Sequence, residues 1–257
     1  MISEDTQTAK NSSPVRTCVI EMRNIKKTFG KNEVLKNINL VLNEQENLVV
    51  LGKSGTGKSV LIKCIVGLVV PDSGELFLFG QDTSTLRKNA LEEVRRKIGF
   101  LFQSGALYDS MSVRENLEFP LRRQSGEYGR EKLNELVTES LQNVGLSEAI
   151  DKNPSELSGG MRKRLGLART LILKPEIMLY DEPTTGLDPI TAREISNLIL
   201  DIQKKYNTSS IIITHDVQCA KLTANRIIVI NEGVCAVEGT FDVLASSEDP
   251  WIGSFFE

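Results

Sequence analysis

One eight-residue stretch constrains the fold of this chain more than any other. An apolar run, Leu48–Leu51, leads directly into Gly52-Lys53-Ser54-Gly55-Thr56-Gly57-Lys58-Ser59, and a helix-patterned segment starts at Val60. Glycines at these spacings let backbone N–H groups close around phosphate oxygens, and the N-terminus of the following helix adds a partial positive charge of about +0.5. The pattern G-x-x-x-x-G-K-[ST] between a strand and a helix therefore predicts a site for nucleotide phosphates.

This pattern is the Walker A motif, and its residue types have physical roles. Lys58 reaches the β- and γ-phosphates, and the Ser59 hydroxyl ligates Mg²⁺. Val60 offers no side-chain hydroxyl, so its contact with the α-phosphate rests on the backbone. The alternative, a Gly/Ser-rich turn before a core helix, would need the whole strand–loop–helix pattern to arise by chance. The predicted nucleotide-binding residues are Gly52, Lys53, Ser54, Gly55, Thr56, Gly57, Lys58, Ser59 and Val60.

A second apolar run, Ile177–Tyr180, ends in two acids, Asp181 and Glu182. Unpaired charge at the end of a buried strand is costly, so adjacent carboxylates there indicate a use for them. We predict that Asp181 holds Mg²⁺ through water. Glu182 is predicted to polarise the attacking water as general base, a role whose loss costs about 10²- to 10⁴-fold in rate. A strand followed by a solvated turn at Pro183 is the alternative.

The only histidine of the chain, His215, ends a third apolar run, Ile211–Thr214. A lone histidine is commonly structural, and that interpretation stays open here. The end of a parallel strand is, however, where ligand crevices form in α/β sheets, so a contact with the γ-phosphate is favoured. A metal role is disfavoured because no second histidine accompanies His215.

Short β-branched runs recur at intervals that fit buried strands, and helix-patterned stretches such as Glu131–Val144 and Ile190–Tyr206 lie between several of them. This alternation predicts the α/β class, with a mostly parallel core sheet covered on both faces. Turn signals at Phe29–Glu33 and Pro71–Glu75 predict that an antiparallel β layer accompanies the parallel core. Gln103–Glu156 is typical of a helical subdomain. The predicted strands are Cys18–Met22, Leu48–Leu51, Ile98–Phe102, Ile177–Tyr180, Ile211–Thr214 and Arg226–Ile230.

Composition disfavours several classes of protein. Hydrophobic content of 40% and charged content of 25% are ordinary for a globular chain of 257 residues. The net charge of −3 gives no positive field for nucleic acid, so no nucleic-acid partner is predicted. No apolar stretch reaches the roughly 18 to 20 residues that span a bilayer, so if the protein acts at a membrane, another subunit must span it. Four cysteines without close pairing indicate a reduced, cytosolic setting, and the polar residues 1–17 predict a flexible N-terminal lead.

In this order, the motifs resemble the nucleotide-binding domain of ABC transporters, a P-loop NTPase cassette. The decisive addition is Leu157-Ser158-Gly159-Gly160-Met161, which looks like the ABC signature, although the family commonly has Gln where this chain has Met161. The resemblance runs from about Val19 to Val243. It implies an ATPase with ATP and Mg²⁺ as cofactors. It also implies an ATPase domain over 18–250, a helical subdomain at about 104–165, and a C-terminal tail over 251–257.

The resemblance also implies the roles of individual residues. Phe29 stands where the family stacks an aromatic ring on adenine. Gln103 matches the Q-loop glutamine, which contacts Mg²⁺ and senses the transmembrane partner. Asp188 matches the D-loop aspartate of the dimer interface, and His215 matches the switch histidine. The implied catalytic residues are Glu182, His215, Gln103 and Lys58, and the implied contacts to a γ-phosphate are Ser158, Gly159 and Gly160.

The signature implies that a second copy of the chain is a partner. Its turn, Ser158–Gly160, begins a helix, so its N–H groups suit an anion. The Walker A helix of the same molecule already serves that phosphate chain. In the family geometry a second helix end reaches the γ-phosphate only from another molecule. We therefore expect an ATP sandwich with two composite sites.

The segment Phe102–Leu121 is similar to the ATPases of MCE/Mla-type transporters, which move phospholipid between bacterial membranes. The implied partners are separate transmembrane permease subunits and an MCE-domain protein, and the implied location is the cytoplasmic face of the inner membrane. An ABC importer for another small solute stays open as the alternative. Translation-type and DNA-repair ABC proteins are disfavoured because the chain has one cassette and no inserted coiled coil. Small GTPases and P-loop kinases are disfavoured because they lack the signature.

Overall fold

The computed structural model describes residues 17–124 and 128–256, so the predicted N-terminal lead lies outside the described residues except for Thr17. These residues form one ten-stranded sheet and nine α-helices. The strands are β1 Cys18–Phe29, β2 Asn32–Asn43, β3 Asn47–Leu51, β4 Ser73–Leu78, β5 Gln81–Asp82, β6 Ile98–Leu101, β7 Ile177–Asp181, β8 Ser209–Ile213, β9 Arg226–Asn231 and β10 Val234–Gly239. The helices are α1 Lys58–Val66, α2 Lys88–Arg96, α3 Val113–Gln124, α4 Arg130–Val144, α5 Gly159–Leu171, α6 Pro189–Tyr206, α7 Val217–Thr223, α8 Phe241–Ala245 and α9 Pro250–Gly253.

The strand order is β5-β4-β1-β2-β10-β9-β3-β8-β7-β6. Strands β9, β3, β8, β7 and β6 pair in parallel, which requires crossover connections between them. Strands β1, β2, β4 and β5 pair antiparallel. Strand β10 is antiparallel to β9 and joins β2 through one residue pair, Val234 with Asn37. The predicted antiparallel layer is therefore continuous with the parallel core through a narrow join.

The parallel strands are buried on both faces, as their continuous apolar runs predict. Along β3, Leu48 and Val50 point to one face and Val49 and Leu51 to the other, and all four are buried. The first face packs in one hydrophobic core with α1 and the antiparallel strands. The second face packs with helices α3 to α7. The predicted α/β class, with a sheet covered on both sides, is confirmed.

Most element boundaries agree with the pattern to within a residue or two. Helix α6 begins at Pro189, one residue before the predicted start, because proline is favoured in the first helical turn. Strand β6 ends at Leu101 rather than Phe102. Strand β1 extends to Phe29 instead of ending at Met22, because pairing with β2 continues as far as the turn. Its bulges break the alternation that a strand prediction depends on.

The C-terminal segment packs on the body of the molecule. The hydrophobic core between the sheet and helices α3 to α7 is contacted by Trp251, Ile252, Phe255 and Phe256. The ring centroids of Phe241 and Phe256 are 5.3 Å apart. The predicted domain limits at 18–250, 104–165 and 251–257 stay predictions. No helix within residues 17–124 and 128–256 is long and apolar enough to cross a bilayer.

Candidate functional site

The loop after β3 forms the predicted phosphate cradle at the carboxyl end of the parallel sheet. Gly57 immediately precedes α1 and has φ +98°, in the left-handed region that glycine tolerates best. A Cβ atom at this position would lie 2.8 Å from Leu35 Cδ2 and 2.9 Å from the Val34 carbonyl oxygen. Both the backbone angle and the close approach of β2 therefore require glycine here.

Lys58 opens α1 and is only 6% exposed. Its Nζ donates to the carbonyl oxygens of Gly52 at 2.7 Å and Lys53 at 3.0 Å. Burial lowers the pKa of Lys58, while the charges of Glu182 and Asp181 act in the opposite direction. The loop backbone thus holds a cation beside two carboxylates, at the place where the Walker A pattern expects phosphate oxygens.

Ser59 and Asp181 are adjacent, although they lie 122 positions apart in the chain. The Ser59 hydroxyl donates to Asp181 Oδ1 at 2.9 Å. Burial raises the pKa of Asp181, against the opposing hydrogen bond from Ser59. A hydroxyl and a carboxylate are hard oxygen ligands, and Mg²⁺ is usually bound by one or two carboxylates together with substrate phosphates. This pair therefore fits the predicted Mg²⁺ position.

Glu182 is held in an unusual backbone conformation with φ +52°, which is uncommon for a residue other than glycine. Its N–H donates to the Ile213 carbonyl oxygen at 2.9 Å. One carboxylate oxygen, Oε2, accepts a hydrogen bond from Thr185 Oγ1 at 2.9 Å and lies 2.8 Å from His215 Nδ1. The Glu182 side chain is 12% exposed, whereas His215 is 62% exposed. The arrangement suits a general base whose orientation is fixed by its neighbours.

The structure brings the expected catalytic residues to one cleft of about 500 Å³. Five chain segments contribute to it: strand β2, the β3–α1 loop, the loop after β6, and the residues that follow β7 and β8. The cleft is lined by Val34, Ser54, Gly55, Gly57, Lys58, Ser59, Val60, Gln103, Glu182 and His215. Because the carboxyl ends of parallel strands meet at one edge of a sheet, this is the edge where a ligand crevice is expected.

Other expected site residues lie outside this cleft. Phe29 is 48% exposed at the β1–β2 turn, with Lys27 Nζ 5.4 Å from its ring centroid. Ser158 caps α5, its Oγ accepting from the Met161 N–H at 3.3 Å. Asp188 caps α6, its Oδ1 accepting from the N–H groups of residues 190 and 191. Within one chain, the signature turn therefore does not line the phosphate cleft.

The sequence interpretation missed three residues that the structure places at the site. Val34 lines the cleft, Thr185 binds Glu182, and Lys163 reaches the backbone of both the Gln103 loop and Glu182. Helical periodicity could have found Lys163, because it lies on the same face of α5 as buried Gly160 and Leu167. A charged residue at such a position needs a specific partner. Thr185 and Val34 carry no comparable signal.

The fold and the cleft together define a P-loop nucleotide-binding protein. Residues 35–185 match the family model described as ABC transporter, and the chain belongs to this family. ABC cassettes bind ATP with Mg²⁺ and hydrolyse it, so this chain is an ATPase with ATP and Mg²⁺ as its cofactors.

Curated relatives agree in class and differ in their named cargo. The chain is 39% identical to "Probable ribonucleotide transport ATP-binding protein mkl" of Mycobacterium leprae, over 92% of this chain and 68% of that protein. It is 37% identical to "Protein TRIGALACTOSYLDIACYLGLYCEROL 3, chloroplastic" of Arabidopsis thaliana, over 92% and 73%. It is 36% identical to "Methionine import ATP-binding protein MetN" of Brucella abortus, over 90% and 63%. The chain thus spans about two thirds of the length of these relatives.

Solved structures give the same class. The dimeric cassette MJ0796 in a post-hydrolysis state, bound to ADP and Pi, matches with a TM-score of 0.78 and 31% identity, over 86% of this chain and 98% of that chain. The cbiO1 protein from Clostridium perfringens, part of the ABC transporter complex cbiONQ, matches with a TM-score of 0.82 and 27% identity, over 90% and 92%.

Proposed function

We propose that this chain is the ATP-hydrolysing subunit of an MCE/Mla-type phospholipid transporter, and that ATP is hydrolysed at two composite sites between two copies of the chain. The main observation in favour of a composite site is that the phosphate cleft and the signature turn lie apart on one chain. The cleft holds Lys58 and Glu182, whereas the Ser158–Gly160 turn begins a helix elsewhere on the same molecule. The dimeric MJ0796 cassette supports a partner that supplies the missing turn.

Within each composite site the residues have separate tasks. Lys58 and the loop N–H groups bind the β- and γ-phosphates, and Phe29 stacks on adenine. Ser59, Asp181 and Gln103 hold Mg²⁺, with Asp181 acting through water. Glu182 removes a proton from the attacking water, while His215 holds the carboxylate and contacts the γ-phosphate. Charge that develops on the phosphate in the transition state meets prearranged donors, which is where most of the acceleration in phosphoryl transfer arises.

The assignment of phospholipid as cargo rests on the Phe102–Leu121 segment, which is similar to MCE/Mla-type ATPases. The name of the chloroplast relative is that of a galactolipid, which supports a lipid. An importer for another small solute is the second candidate, and the similarity to MetN favours it. The name of the mycobacterial relative includes ribonucleotide transport, which also favours a small solute as cargo.

The proposed partners are a second copy of the chain, separate transmembrane permease subunits and an MCE-domain protein. The membership of cbiO1 in the cbiONQ complex supports a separate ATPase subunit. Such a subunit would lie at the cytoplasmic face of the inner membrane, where Gln103 would sense the permease. The permease would dock in a groove near Gln103 and the helical subdomain. Closure of the two copies around ATP would change the shape of this groove, and hydrolysis would reset it.

Purification of the native complex in mild detergent tests the proposal. We expect the chain to co-purify with a permease, an MCE-domain protein and phospholipid identified by mass spectrometry. A detergent extract in which the chain is mutated at Lys58 provides a control for nucleotide-dependent changes in lipid content. Recovery of a solute-binding protein in place of the MCE-domain protein would contradict the lipid assignment and favour the importer.

A further inference from the structure

Lys163 is a buried cation without a carboxylate partner among the described residues. It lies in the second turn of α5, just after the signature turn, and is 8% exposed. Its Nζ donates to two backbone carbonyl oxygens, those of Gln103 and, at 3.1 Å, Glu182. Burial lowers the pKa of Lys163, and the nearby charges of Glu182 and Asp181 oppose that effect. A buried charge is costly, so its retention at this place points to a specific task.

The first carbonyl belongs to a loop that α5 holds along one face. Lys163, Gly166 and Arg169 are spaced three residues apart and therefore lie on the same side of the helix. Arg169 Nη1 donates to the Ala106 carbonyl oxygen at 2.7 Å. A Cβ atom at Gly166 would lie 3.0 Å from the Gly105 carbonyl oxygen, so the loop backbone rests directly on the helix. The helix that begins with the signature is thus tied to the loop that carries Gln103.

The second carbonyl belongs to Glu182, the residue proposed as general base, so the hydrogen bond from Lys163 holds the backbone of that residue. Glu182 has φ +52°, and its N–H is already held by Ile213. The contact from Lys163 holds the other polar group of the same residue. Backbone in this region persists only where surrounding groups determine it. The same carbonyl oxygen also accepts from the Thr185 N–H at 3.4 Å, and Lys163 is the side-chain donor that reaches it from another element, helix α5.

We propose that Lys163 is a positioning residue for ATP hydrolysis, whose ammonium group fixes the backbone of Glu182 and couples it to the Gln103 loop. This inference rests on the proposed role of Glu182 as general base. A shift of the Gln103 loop, which is also the loop proposed to sense the permease, would then alter the placement of the base. The affinity for nucleotide would change little, because Lys163 does not line the phosphate cleft and contacts Gln103 through its backbone rather than its side chain.

The test replaces Lys163 by Met, which keeps an apolar stem and removes the donor, in the full chain assayed with ATP and Mg²⁺. We expect kcat to fall about 10- to 100-fold, because small displacements of a catalytic group have effects of this size. The Kd for ATP should change by less than about twofold. The control is Arg164→Met in the same helix, whose guanidinium binds Val144 and Glu194 instead, and its kcat should stay within about twofold of the unmodified chain.

Two further measurements separate positioning from a structural role. The thermal midpoint of Lys163→Met should change little, because the loss of two hydrogen bonds is offset by the removal of a buried charge. In a Glu182→Gln background, Lys163→Met should cause no additional loss of residual hydrolysis, because both changes act through one group. An equal loss in both backgrounds, or a rise in Kd that matches the fall in kcat, would overturn the inference.

The outcomes also separate this inference from the function on which it rests. If Glu182→Gln slows hydrolysis and Lys163→Met does not, the inference fails while Glu182 keeps its proposed role. If Glu182→Gln has no effect on hydrolysis, the proposed general base itself is wrong. If Lys163→Met does not fold, Lys163→Gln replaces it. If neither variant folds, Lys163 is required for folding, and the positioning role is overturned.

Discussion

At the scale of single residues, the two oxygens of the Glu182 carboxylate have different surroundings. Oε2 is held by Thr185 and His215, and no hydrogen bond to Oε1 is formed within the described part of the chain. A carboxylate anchored through one oxygen can present the other to a water molecule with little loss of orientation. Thr185, which the sequence patterns did not single out, therefore shares in placing the proposed base.

Replacement of Thr185 by Val should lower kcat about tenfold or more while leaving the KM for ATP nearly unchanged. Val keeps the shape of the side chain but removes the hydroxyl, and hydrogen bonds to charged groups contribute about 1.5–3 kcal/mol. Steady-state hydrolysis assays measure the effect. Thr223→Val serves as the control, since that hydroxyl donates to the Cys219 carbonyl within its own helix and does not contact Glu182. Equal effects of the two substitutions would argue against a role for Thr185 at Glu182.

At the scale of elements, one ion-pair network connects the antiparallel and parallel parts of the sheet. Arg226, at the start of β9, binds both oxygens of Glu46 at 2.7 and 3.0 Å, and it binds Glu238 of β10 at 2.6 Å. Its guanidinium also donates to the Val41 carbonyl oxygen in β2. The Glu46 side chain is only 4% exposed, so this pair is screened less than a surface pair.

This network predicts a loss of stability in acid. Burial alone would raise the pKa of Glu46, but hydrogen bonds and charge from Arg226, with Asn43, outweigh it and lower the pKa below the ordinary value of 4.5. A carboxyl whose pKa is lowered by folding stabilises the folded state fully above its unfolded pKa. That contribution disappears as pH falls from about 4.5 through the folded pKa.

Glu46→Gln should therefore reduce the free energy of unfolding by about 1–3 kcal/mol at pH 7, because it weakens a bidentate hydrogen-bonded pair. Urea unfolding from pH 7 down to pH 3 should show the two proteins converging at the acid end. The matched control is Glu44→Gln, an exposed residue two positions earlier. A constant difference between Glu46→Gln and the unmodified chain across the whole pH range would contradict this account.

Several elements could be predicted from sequence because each carries its own local signal. The buried runs that become β3, β7 and β8 are continuous and apolar, and each leads directly or within two residues into residues of the site. Helix α6 has its cap at Asp188, followed by proline. Local pattern could not show that β10 meets β2 through a single pair, or that Lys163 crosses to Glu182, since these contacts depend on the packing of distant segments.

At the scale of the whole molecule, the phosphate cleft and the signature turn occupy separate places on one chain. The cleft lies at the carboxyl edge of the parallel strands, while Ser158 starts α5 and is exposed. Both are ends of helices, and helix N-termini favour anions. A composite site built from two chains uses both ends on one triphosphate.

The variant Glu182→Gln should dimerise when ATP and Mg²⁺ are added, because hydrolysis slowed about 10²- to 10⁴-fold leaves the triphosphate intact. Sedimentation should then give about twice the mass of the 28.5 kDa chain. Addition of Ser158→Glu, which places negative charge against the phosphate, should restore the monomer. A Glu182→Gln chain that stays monomeric with ATP at high protein concentration would remove the main support for the composite site.

The single residue pair between β10 and β2 has a consequence for how this protein responds to its ligand. Phe29 lies on the antiparallel side of that join, and Lys58 follows a strand on the parallel side. A nucleotide with its base on Phe29 and its phosphates at Lys58 would bridge the narrowest point of the backbone ladder. Bound ATP would then connect the antiparallel and parallel parts of the sheet. Binding would restrict the motion of one part relative to the other, and release of the nucleotide would restore that motion.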